Sequence, residues 1–283
     1  QEDLDLLIVV SHQINAAIEN IRLHQRLIQQ ARVVAENQSA RRVQLLFLPR
    51  SVPTIPGYTF WHHYEPAQSV GGDYFQYFAT SRPESQNNRQ ALAVTMGDVS
   101  GHGLPAALIM SRLAVETRVA LSSATDPIRV IETLNQQFCH DDLEGFFVTF
   151  LLLWLEPESG DLTLIRAGHP VPWLRRVDGT VEPMTRERGG LPLGVAPGRS
   201  YSGSLLRLEP GEIIVAYTDG IIEAQNAAGS MFGAELMSEV IRGGRTATEV
   251  GQALLRAVRH HVAGNNPSDD LTLVCFGRDP VGV

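Results

Sequence analysis

The sequence predicts an α+β domain, antiparallel sheets covered by helices, standing behind a long amphipathic helix. Three observations lead there. No Gly or Pro occurs before Pro49, which leaves that stretch free to be helical. Beyond it, apolar and aromatic runs of strand length recur, with hairpin signals at Glu158-Ser159-Gly160-Asp161 and Val177-Asp178-Gly179-Thr180. The helical patterns are grouped in pairs and do not alternate one by one with strands, which favours α+β over α/β.

In the leading stretch, Leu7, Ile14, Ile21 and Ile28 recur every seven residues, flanked by Leu4 and Ile18 on one side and by Val10, Ala17 and Ala31 on the other. That is an amphipathic helix with a broad apolar stripe. The stripe fades after Ile28, where Arg32, Ser39 and Arg42 take the next seam positions. It must be covered by its own domain, by a second copy in a parallel dimer, or by a neighbouring domain. Residues 1–45 are read as a linker helix and candidate coiled-coil dimerisation segment, and 46–283 as the second domain.

Past Pro49, residues 58–64 are aromatic and strand-like, and 69–75 carry a Gly71-Gly72 step into another strand. Residues 82–89 form a polar loop and 91–95 a strand. Residues 105–122 and 126–140 read as helices, with Pro105 suited to a first turn. The apolar run 146–155 is a buried strand, and the first hairpin turn leads into a strand over 162–167. Residues 211–218 form a strand that ends at Asp219-Gly220, 247–261 a helix, and 271–276 a last strand.

Composition narrows the function classes. The formal charge is −8, from 31 acidic and 23 basic residues with no basic block, so nucleic acid and anionic membrane are poor partners. Cys139 and Cys275 are far apart and form no CxxC pair, as expected of core thiols in a reducing compartment. No apolar run approaches a membrane span of roughly 20 residues, and Gln1 opens without a signal-peptide pattern. The expectation is a soluble, cytoplasmic segment with an apolar content of 43%, enough for a substantial core.

The chemistry centres on Gly97-Asp98-Val99-Ser100-Gly101-His102-Gly103, into which the run 91–95 delivers Asp98. Glycine tolerates positive φ and close approach of backbone to a ligand, so the loop suits a bound ion or phosphate; it equally suits a strand-to-helix turn. Three more acidic sites share the context: Asp73 after Gly71-Gly72, Asp219 before Gly220, and Asp269-Asp270 before the last strand. Singly, each is an ordinary turn residue. Together they matter, because strand ends in stacked sheets can converge at one edge, and clustered carboxylates repel unless a cation sits among them. Oxygen-only ligands select Mg²⁺ or Mn²⁺ over zinc.

Gly71-Gly72-Asp73-Tyr74-Phe75, the Asp98 loop, Ala167-Gly168-His169-Pro170, Tyr217-Thr218-Asp219-Gly220 and Asp269-Asp270-Leu271-Thr272 stand in the order found in PPM-type metal-dependent serine/threonine phosphatases. The chain most resembles their bacterial SpoIIE-like branch, over 58–276, and Ala17-Ile18-Glu19-Asn20-Ile21-Arg22-Leu23 resembles the end of a GAF domain running into a linker. The resemblance implies an αββα sandwich with two divalent cations, Mn²⁺ or Mg²⁺, between the sheet edges. It implies that Asp98 bridges both ions, the Val99 carbonyl holds one, Asp73 contributes from the first motif, and Asp219 and Asp269 hold the second. The motif places that last contact on Asp269 rather than Asp270. In such a site paired ions activate water and clamp the phosphoryl oxygens during in-line attack, without a protein nucleophile.

Other positions transfer less directly. Gln76 stands where the branch commonly has Asp, which puts any role of that acid in doubt. His102 is read as a cap for the helix from 105 in preference to a site residue, and His169 as a packed structural histidine. His62 and His63 adjoin on a strand and face opposite ways, so they cannot share a metal. Arg50 and Arg112 are read as solvated, with phosphate contact the alternative. The expected function is hydrolysis of phosphoserine or phosphothreonine on a protein, by resemblance a STAS-type anti-sigma-factor antagonist, in a homodimer joined through the leading helix. The alternative is a non-catalytic scaffold that binds a phosphoprotein or effector on the same fold, and Gln76 is the feature that favours it.

Overall fold

The computed structural model describes residues 2–82, 89–123, 126–140, 143, 145–185, 189–264 and 267–280. It divides into two units, Gln1–Val43 and Gln44–Val283. The first unit is helical: α1 (Glu2–Gln44) is unbroken, as a stretch without Gly or Pro allows, and its last residue, Gln44, belongs to the second unit. Ile18, Ile21, Leu27 and Ile28 on α1 are exposed. The side chains of Leu4, Leu7, Val10 and Ile14, the first half of the expected seam, lie outside the described residues. Among the described residues, no helix is long and apolar enough to cross a membrane.

The second unit is an α+β sandwich of two five-stranded antiparallel sheets, as the sequence predicts. One sheet runs in the order β1 (Tyr58–Glu65), β10 (Leu271–Arg278), β9 (Ile213–Tyr217), β6 (Trp173–Arg175), β7 (Val181–Pro183). The other runs β2 (Tyr74–Arg82), β3 (Arg89–Val99), β4 (Val148–Glu156), β5 (Asp161–Ala167), β8 (Gly203–Arg207). Helices α2 (Leu104–Ser123) and α3 (Pro127–His140) pack on the second sheet, and α5 (Gly233–Gly243) and α6 (Ala247–Val262) on the first. The short α4 (Asp219–Ile222) follows β9 directly.

Strand periodicity divides the core. On β10, Val274 and Phe276 face the layer between the sheets, whereas Leu273 and Cys275 face α5 and α6. On β9, Ile214 and Ala216 divide from Ile213, Val215 and Tyr217 in the same way. Two-residue alternation with apolar groups on both faces is what a sheet covered on both sides requires. Phe60 stacks on Phe276 at 5.5 Å between centroids inside the sandwich. On β4, a central strand, 150–155 are all buried, which explains its near-continuous apolar run.

Some elements differ from expectation. β3 continues to Val99, so Asp98 lies within the strand and not in the loop after it. β8, α4 and α5 carried no clear sequence signal. Of the expected loop at 82–89, residues 83–88 lie outside the described residues.

Candidate metal centre

One end of each sheet forms a common edge. Asp73 precedes β2, Asp98 is the penultimate residue of β3, Asp219 opens α4 after β9, and Asp269 lies just before β10. The registers agree with this, since Tyr74 pairs with Gly97 in one sheet and Tyr217 with Leu273 in the other. A hydrogen-bonded clasp joins the two sheets there. Asp73, only 2% exposed, accepts at Oδ2 from Thr218 Oγ1 at 2.7 Å and from Thr272 Oγ1, both of the opposite sheet's strand ends.

The second carboxylate of the Asp269-Asp270 pair does different work. Asp270 Oδ1 accepts from Ala67 N–H at 2.8 Å, and Oδ2 accepts from Gly72 N–H at 2.7 Å and Asp73 N–H at 3.3 Å. It anchors the backbone that delivers Asp73. Close approach here requires glycine: a Cβ at Gly71 would lie 2.0 Å from Asp270 Oδ2, and one at Gly72 would lie 3.0 Å from the Val99 carbonyl oxygen. On the far side of Asp98, Ser100 pins the loop. Its N–H donates to the Phe147 carbonyl, and its Oγ accepts from Phe147 N–H, each at 2.9 Å.

The electrostatics are those of a crowded acidic edge. Burial pushes the Asp98 carboxyl up to about 8, and Asp219, Asp269, Asp270 and Glu223 add repulsion. Burial also raises Asp73 well above the usual carboxylate range, with Asp98 and Asp270 adding to it, and raises Asp219, helped by Asp269 and Glu223. Each charge disfavours the next until a cation offsets them. Among the described residues, no three His, Cys, Asp or Glu side chains are arranged to enclose a metal ion as they stand. The charges are nonetheless close enough to repel. Asp269 is exposed and Asp98 and Asp219 are half-buried. With oxygen donors only, this edge fits a hard divalent cation.

The remaining singled-out residues sort by their contacts. His169, 1% exposed, meets Thr149 Oγ1 through Nδ1 at 2.9 Å, and burial pushes its pKa down to about 3; it is packed and neutral. His62 meets the Tyr77 hydroxyl at 3.2 Å, whereas His63 meets Glu65 at 3.1 Å, so the pair does face opposite ways. His102 is exposed and bonds the Gln68 side chain at 3.3 Å, which corrects the expected cap of α2. Arg112 is not solvated as expected: it bonds Glu116 at 2.6 Å and the Gln137 carbonyl at 3.0 Å, over the Phe138 ring. Arg50 is exposed. Gln76 donates to the Phe47 carbonyl at 3.3 Å, and its Oε1 accepts from Tyr77 N–H. Its contacts are with the chain after α1, not with the acidic edge.

Two residues at or behind this edge were not singled out from the sequence. Glu223 acts electrostatically on Asp98 and Asp219; its place four residues after Asp219 was the available signal. Gln44 is buried and bonded to Gly71. Beside Asp219, a cleft lined by Thr149, His169, Pro170, Trp173 and Tyr217 opens at the same end of the sandwich.

The sequence profile described as Stage II sporulation protein E (SpoIIE) matches residues 88–279, more than half of the chain. The chain belongs to the SpoIIE family. Within that setting it is 27% identical over 201 residues to phosphoserine phosphatase RsbU of Bacillus subtilis, covering 71% of this chain and 57% of that protein. It is 24% identical over 272 residues to protein IcfG of Synechocystis, covering 86% of this chain and 42% of that one. The chain therefore spans about half the length of the curated relatives it matches. Among solved structures, the SiaA-PP2C domain of Pseudomonas aeruginosa superposes with a TM-score of 0.73 at 20% identity, covering 88% of this chain and 98% of that one. That likeness shows a PP2C-type fold.

Proposed function

We propose that this SpoIIE-family chain is a metal-dependent protein phosphatase that hydrolyses phosphoserine or phosphothreonine at the acidic edge. The observation that carries the reading is the clasp of Asp73 by Thr218 and Thr272, which ties strand ends of both sheets together beside Asp98. Similarity to a phosphoserine phosphatase supports the reaction class. Asp98 and the Val99 carbonyl, with Asp73, would hold one divalent cation, and Asp219 and Asp269, with Asp98 shared, a second. Bound Mn²⁺ or Mg²⁺ supplies activation of water and neutralisation of phosphoryl charge. The chain's own part is positioning. Asp270 fixes the 67–73 backbone, Ser100 fixes the loop after Asp98, and a cation bound at Asp73 and Asp98 would displace the protons that burial favours there.

The protein substrate proposed is a phosphorylated STAS-type anti-sigma-factor antagonist. Residues 1–45 are proposed to join two copies and to pass a signal to the phosphatase domain at 46–283, with the exposed apolar residues of α1 in support. Gln76, which favoured the scaffold alternative, is held at Phe47 and gives that alternative no support from the site. The test is phosphate release from a serine-phosphorylated STAS protein with Mn²⁺ and with a chelator. Release that requires the metal supports the reading; release unaffected by chelation contradicts it.

A further inference from the structure

Gln44 sits where nothing about metal binding requires a polar side chain, yet it is 3% exposed and hydrogen-bonded through both its amide nitrogen and its amide oxygen. Its Nε2 donates to the Gly71 carbonyl, and its Oε1 accepts from Gly71 N–H at 3.2 Å. A side-chain amide thus exchanges both backbone hydrogen bonds of one residue, as a neighbouring strand would, and fixes the orientation of the two peptide groups that flank Gly71. Few side chains can do this. Glu offers no donor when ionised, Asn is one methylene shorter, and Met or Leu offer neither group.

The fixed residue leads directly into the site. Gly72 is pressed toward the Val99 carbonyl, which a Cβ at Gly72 would approach to 3.0 Å, and Asp73 follows with its carboxylate held between the sheets. Asp270 holds the same backbone from the other side through Gly72 and Asp73 N–H. The chain just after Gln44 is fastened to β2 a second time, by Gln76 on the Phe47 carbonyl. Gly71 and Gly72 therefore lie between two side-chain anchors, and only one of these, Asp270, belongs to the acidic edge.

We infer that Gln44 is a positioning residue for the metal edge: by holding Gly71 through both of its backbone groups, it sets where Asp73 and the Val99 carbonyl stand relative to each other. The inference rests on the proposed metal-dependent function. Loss of the clamp orphans a buried N–H and C=O at Gly71 and lets the Gly71-Gly72 step relax, so the effect falls on cation affinity as well as on stability.

The experiment is Mn²⁺ titration calorimetry, with thermal melting alongside, on wild type, Gln44→Met, Gln44→Glu and the control Leu254→Ala. Leu254 is a buried residue of α6 in the core beneath the other sheet. Gln44→Met is expected to weaken Mn²⁺ binding by about tenfold or more, a loss of roughly 1.4 kcal/mol. Gln44→Glu, which keeps the acceptor for Gly71 N–H but sets a carboxylate oxygen against the Gly71 carbonyl, is expected to weaken binding at least as much as Gln44→Met. Leu254→Ala is expected to lower the melting temperature while leaving affinity within about twofold. Wild-type affinity in Gln44→Met, or equal weakening in Leu254→Ala at matched loss of melting temperature, overturns the inference. Failure of wild type to bind Mn²⁺ overturns the metal reading and the inference together.

Discussion

Asp270 and His169 are both buried, and their environments give single-residue predictions of different kinds. Asp270 accepts from three backbone N–H groups, of which those of Gly72 and Asp73 are buried and that of Ala67 half-buried, and Asp270→Ala leaves all three without this acceptor. The expected cost is about 2–4 kcal/mol in urea denaturation. His169 is held neutral, with its folded pKa near 3 against an ordinary 6.5. A depressed histidine contributes stability that is complete above pH 6.5 and is lost as pH falls from 6.5 toward 3, because the unfolded chain binds the proton first. Between pH 7 and pH 5, wild type should lose roughly 2 kcal/mol more stability than His169→Asn. Equal pH dependence in the two proteins would show that His169 is not the buried neutral group described.

Among the elements, α6 meets β1 at Gly251 and Trp61. Replacing glycine by alanine inside a helix ordinarily stabilises by about 1 kcal/mol. At Gly251, however, a Cβ would lie 2.0 Å from Trp61 Cε3, whereas nothing lies within 4 Å of one at Gly243 in α5. Gly251→Ala should therefore lower the melting temperature, by overpacking worth about 1–3 kcal/mol, and Gly243→Ala should leave it equal or slightly higher. The same elements show what the sequence could reveal. β4 and β10 were legible because their apolar runs are long and both faces are covered. β8 was not: it opens Gly203-Ser204, pairs only with β5, and leaves Leu205 83% exposed, so it has little pattern of its own. α5 buries only Met237 and Ile241 between flanking glycines, too short a periodic signal to read.

In the whole molecule, the order of the acidic motifs was legible, but the geometry that unites them was not. Which strand ends meet depends on pairings between distant segments, such as β1 with β10 at Tyr64 and Thr272. The Thr218 and Thr272 clasp on Asp73 joins residues 145 and 199 positions apart, and the Gln44 clamp on Gly71 residues 27 apart. Side-chain partners of that kind leave no periodicity in the chain. The proposed dimer is tested at this scale: changing Ile21 and Ile28 together to Asp should convert a dimer to a monomer by light scattering. An unchanged mass would remove α1 as the dimer contact.

The proposed chemistry places Asp98 between strand ends from both sheets, shared by both proposed cations. The most direct measurement is Mn²⁺-dependent phosphate release by wild type and by Asp98→Ala, with circular dichroism to establish that both are folded. A fall of about a hundredfold or more in the folded variant is predicted, of the size expected when a principal electrostatic group is lost from a site. Equal rates in the two proteins would contradict hydrolysis at this edge.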